Sequence, residues 1–265
     1  MLSINKPALL ASGACLIVML ASPPASSALP VRLKDTKRFD SATNITAHVQ
    51  KLSDSPPQVT LHYNDGSGVW QDKPFGFVIN NNNFWQLAIV DAPKSAEFVI
   101  RYDVDGRTYW DNNNNQNYKM GPAFSVNGAP AACSFVGNFV AMRSAQLDWS
   151  EHSGRVSGKI IVNNLGPSKL VGVRITADGW ATYKDEIASF EESEQSGNCP
   201  SVVQRFSWNY SVGNDPRSSP CSNVSFSVFY FDTTANPANP PQYWDNNFGQ
   251  NYSLSACGSK TVKIE

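Results

Sequence analysis

Two ten-residue stretches of this chain hold side chains suited to gripping a sugar. "YWDNNNNQNY" runs from Tyr109 to Tyr118, and "YWDNNFGQNY" from Tyr243 to Tyr252. A Trp ring offers a broad apolar face on which the C–H face of a pyranose can stack. An Asn amide offers an acceptor and a donor without charge, which suits neighbouring hydroxyls. Asn also tolerates left-handed backbone, so the same letters describe a tight loop after a strand. One copy leaves the two readings level. A second copy favours binding, because a turn can be built in many ways.

Catalysis has less support. Glycoside cleavage takes two carboxylates facing one bond. Each stretch carries one, Asp111 or Asp245, and both read as loop caps. The acidic segment "EIASFEESEQ", Glu186–Gln195, reads as a solvated loop. His48, His62 and His152 lack metal-ligand spacing, and no nucleophile elbow or phosphate-cradling loop occurs. The chain is therefore expected to be no enzyme, with no catalytic residue, metal or cofactor. Its formal net charge is −1 and it has no basic block, which excludes nucleic acid as an expected partner and favours neutral ligands.

The elements around the two stretches repeat as well. "VTLHYNDGSGVW" (Val59–Trp70) matches "VGVRITADGWATY" (Val171–Tyr183): a strand, an Asp-Gly turn, then a Trp. The order strand, DG turn, Trp, strands, YWDNN occurs twice. Alternation places Phe98, Ile100, Tyr102 and Val104 on one face. It does the same for Phe206, Trp208, Tyr210 and Val212, and for Val224, Phe226, Val228 and Tyr230. "VDGR", Val104–Arg107, predicts a two-residue hairpin turn. About 100 residues per unit, short strands and many turns predict an all-β chain of two β-sandwiches. The boundaries expected are 1–28 leader, 29–122 first unit, 123–136 linker, 137–257 second unit and 258–265 tail.

The first residues read as a secretory signal: Lys6, an apolar run, then small residues with cleavage after Ser27 or Ala28. The apolar run is short for a membrane span and is followed by Pro23–Pro24, so no membrane association is expected once it is removed. Cys133, Cys199, Cys221 and Cys257 then remain, an even number for an oxidising compartment. Of three possible pairings, Cys199–Cys221 with Cys133–Cys257 is favoured. Sequons at Asn44, Asn209, Asn223 and Asn251 are present, with glycans expected at the first three. Localisation is expected to be secreted.

The motifs "GKIIVNN", "VGVRITADGW", "RFSW", "VSFSVFY" and "YWDNNFGQNY", with "VTLHYNDGSGVW", "AEFVIRY" and "YWDNNNNQNY", resemble two tandem family-twenty-one carbohydrate-binding modules. That family includes starch-binding domains of fungal glucoamylases and glycogen-targeting phosphatase subunits. The resemblance implies immunoglobulin-like antiparallel sandwiches in tandem that bind α-glucan without cleaving it. It implies a main site at Trp70, Trp110, Asn112, Asn114 and Asn117 in the first copy and at Trp180, Trp244, Asn246 and Asn251 in the second. Phe248 stands where the starch-binding version has an Asn. A further family site maps onto Asn164 and Lys169. The expected function is a secreted polysaccharide-binding protein, with carbohydrate-active enzymes on the same glucan as possible partners. The alternatives are an intracellular-type glycogen-targeting phosphatase subunit and a lectin for another glucan. "RVSG", Arg155–Gly158, is the nearest approach to the phosphatase-docking motif but lacks its final aromatic.

Overall fold

The computed structural model describes residues 29–39, 43–81, 84–132, 134–150, 153–194, 203–212, 221–234, 236–257 and 260–264. The expected leader, Cys133, His152 and Cys199 lie outside the described residues. The described residues form β-strands and turns, with no helix among them.

The first unit contains β1 (Val31–Arg38), β2 (Thr43–Gln50), β3 (Gln58–Asn64), β4 (Gln71–Pro74), β5 (Phe77–Asn80), β6 (Phe84–Ala92), β7 (Ala96–Val104), β8 (Arg107–Asp111) and β9 (Tyr118–Met120). A small hairpin, β10 (Ser125–Val126) and β11 (Ala129–Pro130), and β12 (Phe135–Val136) follow. The second unit contains β13 (Val140–Ser150), β14 (Ser153–Asn163), β15 (Lys169–Thr176), β16 (Lys184–Ile187), β17 (Ser189–Ser193), β18 (Val203–Val212), β19 (Cys221–Asp232), β20 (Gln242–Asp245), β21 (Tyr252–Cys257) and β22 (Lys260–Ile264).

The two topologies are the same. One sheet runs β12-β1-β2-β6-β5 in the first unit and β22-β13-β14-β18-β17 in the second. The other runs β4-β3-β7-β8 with β9 also on β7, and β16-β15-β19-β20 with β21 also on β19. Each pair of sheets encloses one core. The alternating residues drive this: Phe98, Ile100 and Tyr102 are buried in the first unit, and Val224, Phe226, Val228 and Tyr230 in the second. Each such side chain contributes about 1.5–3 kcal/mol by leaving water. Asp105 and Gly106 have φ of 49° and 73° and close β7 onto β8, as the "VDGR" turn predicts.

Two local expectations change. The segment 123–136 is not bare linker, since it holds the hairpin and β12, which pairs with β1. The acidic segment is not a loop but two exposed edge strands, β16 and β17.

The units also pack against each other. Val31, Leu33, Ala47 and Val49 fill the first core, so Arg32, Lys34 and His48 face outward from the same strands. Lys34 and His48 are nevertheless buried, because the second unit covers that face. Arg32 pairs with Asp245, its guanidinium carbon lies 4.6 Å from the Phe248 ring centroid, and it donates to His48 Nδ1 at 3.0 Å. His48 packs on Phe84 at 4.3 Å and on Phe248 at 4.9 Å. Phe84 joins the second unit's core. Arg143–Asp35 at 3.0 Å and Lys37–Glu194 at 3.3 Å add ion pairs across the joint.

Candidate carbohydrate-binding sites

Half of each repeated motif builds the loop itself. Asp111 accepts hydrogen bonds from Leu33 N at 2.6 Å and from Tyr118 Oη at 2.9 Å. Asp245 accepts from Met142 N at 2.9 Å and from Tyr252 Oη at 2.8 Å. Each Asp thus ties the motif to the first strand of its unit. Burial pushes the Asp111 carboxyl up, against the opposing bonds from Leu33 and Tyr118. Asn113, Asn114, Asn115 and Asn117 all have φ between 51° and 66°, the conformation Asn accepts most readily after Gly. Asn113 Nδ2 donates to Asn117 O and Asn247 Nδ2 to Asn251 O, both at 3.1 Å. The loop-cap reading of the two Asp residues therefore matches their geometry.

The sugar-facing candidates of the first unit gather on the outer side of the β4-β3-β7-β8 sheet. Trp70 and Trp110 are each 39% exposed. His62 from β3 lies between them, stacked on Trp70 (4.8 Å, 13°) and edge-on to Trp110 (5.9 Å, 75°). Asp72 binds His62 Nδ1 at 2.6 Å and Arg101 at 3.3 Å, and Arg101 lies 5.7 Å from the Trp110 centroid. The bond from His62 holds the Asp72 carboxyl below its ordinary range. The result is an apolar platform whose rings are braced by charged groups at its rim. Asn114 is exposed at the loop tip, whereas Asn112 is engaged with Asn115 and Asn117 with Glu97.

The second unit repeats the platform with different letters. Arg174 takes the place of His62: it forms two 2.8 Å bonds to Asp185 and lies 4.3 Å from the Tyr183 ring and 5.1 Å from Trp244. Trp244 rests near Phe229 and Phe231. Gly172 makes room for that layer, since a Cβ there would lie 2.6 Å from the Phe229 ring. The registers Tyr63↔Gln71 and Ile175↔Lys184 make Tyr183, not Trp180, the counterpart of Trp70. Trp180 sits in the preceding turn at φ 74°, its N donating to Thr176 Oγ1 at 3.1 Å. Sequence matching paired the two Trp because both follow a DG turn. The turns differ in length, and only strand register reveals this. No sequence motif marks His62, Arg174 or Tyr183, which join the platforms through strand pairing.

The motif loop of the second unit faces the joint. Asn246, Asn247 and Phe248 are buried. Asn246 accepts from Gly249 N at 3.0 Å, and Asn251 accepts from Ser227 Oγ at 3.2 Å. Asn164 and Lys169 are brought together, Lys169 Nζ bonding both Asn164 and, at 2.7 Å, Gln204.

Asn209 and Asn223 are exposed, while Asn44 and Asn251 are half-buried. Cys257 is disulfide-bonded. In the β19–β21 register its backbone lies opposite Cys221, and the expected partner Cys133 lies outside the described residues. Among the described residues no group of three or more His, Cys, Asp and Glu is placed to hold a metal.

The carbohydrate/starch-binding module (family 21) model matches residues 41–121 and again 136–255. Glucoamylase 1 of Rhizopus oryzae is 32% identical over 40% of this chain and 18% of its own. Protein phosphatase 1 regulatory subunit 3A is 28% identical in Oryctolagus cuniculus, over 57% of this chain and 12% of its own, and 26% in Mus musculus, over 62% and 14%. The chain thus spans under a fifth of these relatives. Among solved structures, the carbohydrate-binding module of the muscle glycogen-targeting subunit of protein phosphatase-1 matches at 25% identity over 46% of this chain and 78% of that one, with a TM-score of 0.31. The expectation of secretion is corrected by these matches: the relatives covering 57% and 62% of this chain are phosphatase regulatory subunits. With more than half its length matched in two copies, the chain belongs to carbohydrate-binding module family 21 and is a non-catalytic, carbohydrate-binding protein with tandem modules.

Proposed function

We propose that the chain binds α-glucan, starch or glycogen, through both modules and serves as a glucan-targeting protein. The observation that carries this is the braced aromatic platform Trp70–His62–Trp110, repeated as Tyr183–Arg174–Trp244. Uncharged ring faces flanked by amides and rim charges suit a neutral polysaccharide. In this reading each sandwich is immunoglobulin-like, with β1-β2-β6-β5 facing β4-β3-β7-β8 in the manner of strands ABED facing C′CFG. The phosphatase regulatory relatives favour targeting over a free-standing lectin. Docking of a phosphatase would use a segment other than "RVSG", because Val156 is buried within β14 between β13 and β18.

The test is depletion of the pure full chain by granular starch and by glycogen, beside β-glucan and chitin. Depletion by the α-glucans alone is expected. Depletion by chitin or β-glucan instead would replace the ligand and keep the platform. Loss of all depletion would end the reading.

A further inference from the structure

The two modules enclose a cleft of about 500 Å³ that belongs to neither alone. Asn112 and Asn114 line one side, from the motif loop of the first module. Asn138, Phe139, Tyr243 and Trp244 line the other. We propose that a single neutral glucan chain lies in this cleft, held by amides of the first module and rings of the second. The proposal rests on the α-glucan reading and gives that ligand a path between the modules.

Three observations carry it. Phe139 is held at φ 64°, a region that costs a bulky residue of order 1–3 kcal/mol. The residue is still 39% exposed, and its ring packs on Tyr243 at 4.6 Å. A strained residue that displays an apolar face beside the exposed amides of Asn114 and Asn138 has the chemistry of a sugar contact. Next, the charged groups behind the cleft are already satisfied. Arg32 is paired with Asp245, and Asp111 with Leu33 N and Tyr118. What remains open to a ligand is amide and aromatic, hence suited to a neutral one. Finally, Trp244 serves both surfaces: it lies beside Arg174 on the second platform and also lines the cleft. A chain leaving that platform over the edge strand β20 therefore arrives at Asn112 and Asn114. The volume lies within the range of small-ligand sites.

Calorimetric titration of the full chain with maltoheptaose tests this, using Phe139→Gly and Asn114→Gly. Glycine suits both left-handed positions, so melting temperature should hold or rise while the rings or amides are lost. Phe139→Gly should weaken maltoheptaose binding by about tenfold and Asn114→Gly by about threefold. The double variant should lose less than the product, because both side chains grip one ligand. Should Phe139→Gly unfold by circular dichroism, Asn114→Gly and Asn138→Ala decide the matter alone. Wild-type affinity in these variants, while Trp110→Ala still weakens starch depletion, overturns the cleft and leaves the platforms standing. Failure of the wild-type chain to bind either maltoheptaose or starch overturns both.

Discussion

The same ten-residue motif does two jobs in this molecule. In the first module the loop after Trp110 ends in solvent, with Asn114 exposed at its tip. In the second, the equivalent position is Phe248, buried against Arg32 and His48 of the first module. The Asp of the motif marks the same divergence. Asp111 serves its own module only, whereas Asp245 also neutralises Arg32 from the other one. Yet both modules retain an aromatic platform. The platform is carried by strands β3, β4, β7 and β8 and their counterparts, so it survives a change in the use of the loop. Duplication has let one loop become a joint without removing the ring surface beside it.

The largest expected effect separates the two Asp residues. Asp245→Ala leaves Arg32 as a buried charge without its counter-charge, and should cost about 3–5 kcal/mol. Asp111→Ala leaves only neutral donors unpaired, Leu33 N and Tyr118 Oη, at about 1–3 kcal/mol. Urea unfolding of the two variants measures the difference, and equal costs would mean the joint contributes nothing special. Next comes the loop tip. Phe248→Asn, which restores the polar version, should lose about 1.5–3 kcal/mol of stability from apolar burial and change starch binding little. Asn114→Gly, at the matching position, should alter stability by no more than about 0.5 kcal/mol.

Binding variants sharpen the same contrast from the platform side. Trp110→Ala should lower affinity for soluble starch by about tenfold or more, equivalent to about 1.4 kcal/mol. Trp180→Ala should lower it less than about twofold, since Tyr183 holds the place of Trp70. A larger effect at Trp180 than at Tyr183 would return the second site to the turn.

Much of this is legible in the amino-acid sequence. The period-two runs gave the inward faces, and the Asp-Gly pair gave the β7–β8 turn, because both depend on local chemistry alone. Trp70, Trp110 and Trp244 stood out as ring surfaces for the same reason. The role of Phe248 was not legible: whether a loop residue meets solvent or another module is decided by packing across about 200 residues of sequence, Arg32 and His48 against the far motif. Nor was Arg174 legible as part of a platform, since its partners Asp185 and Tyr183 are assembled by strand register.

A further expected effect concerns acid, and it acts on the joint rather than on the platforms. His48 is packed by Phe84, Phe248 and Tyr252, with Arg32 and Lys34 as the nearby cations and Asp245 beyond Arg32. Burial, and then those two cations, hold its pKa well below the ordinary 6.5. Burial likewise lowers Lys34, to about 8, so neither group welcomes more charge nearby. His48 Nδ1 accepts from Arg32, which a protonated ring could not do. Below about pH 6.5 the unfolded chain binds a proton at this residue and the native chain does not. Stability contributed by neutral His48 is therefore complete above that pH. It falls as the medium becomes more acidic, by up to about 1.4 kcal/mol per pH unit until the native group titrates. In His48→Gln, whose amide oxygen can still accept from Arg32, this part of the slope should vanish between about pH 6.5 and 5.5. Chemical unfolding at a series of pH values reads the slope directly. An unchanged slope in the variant would show that the joint is insensitive to this proton, and that acid acts on the two modules alike.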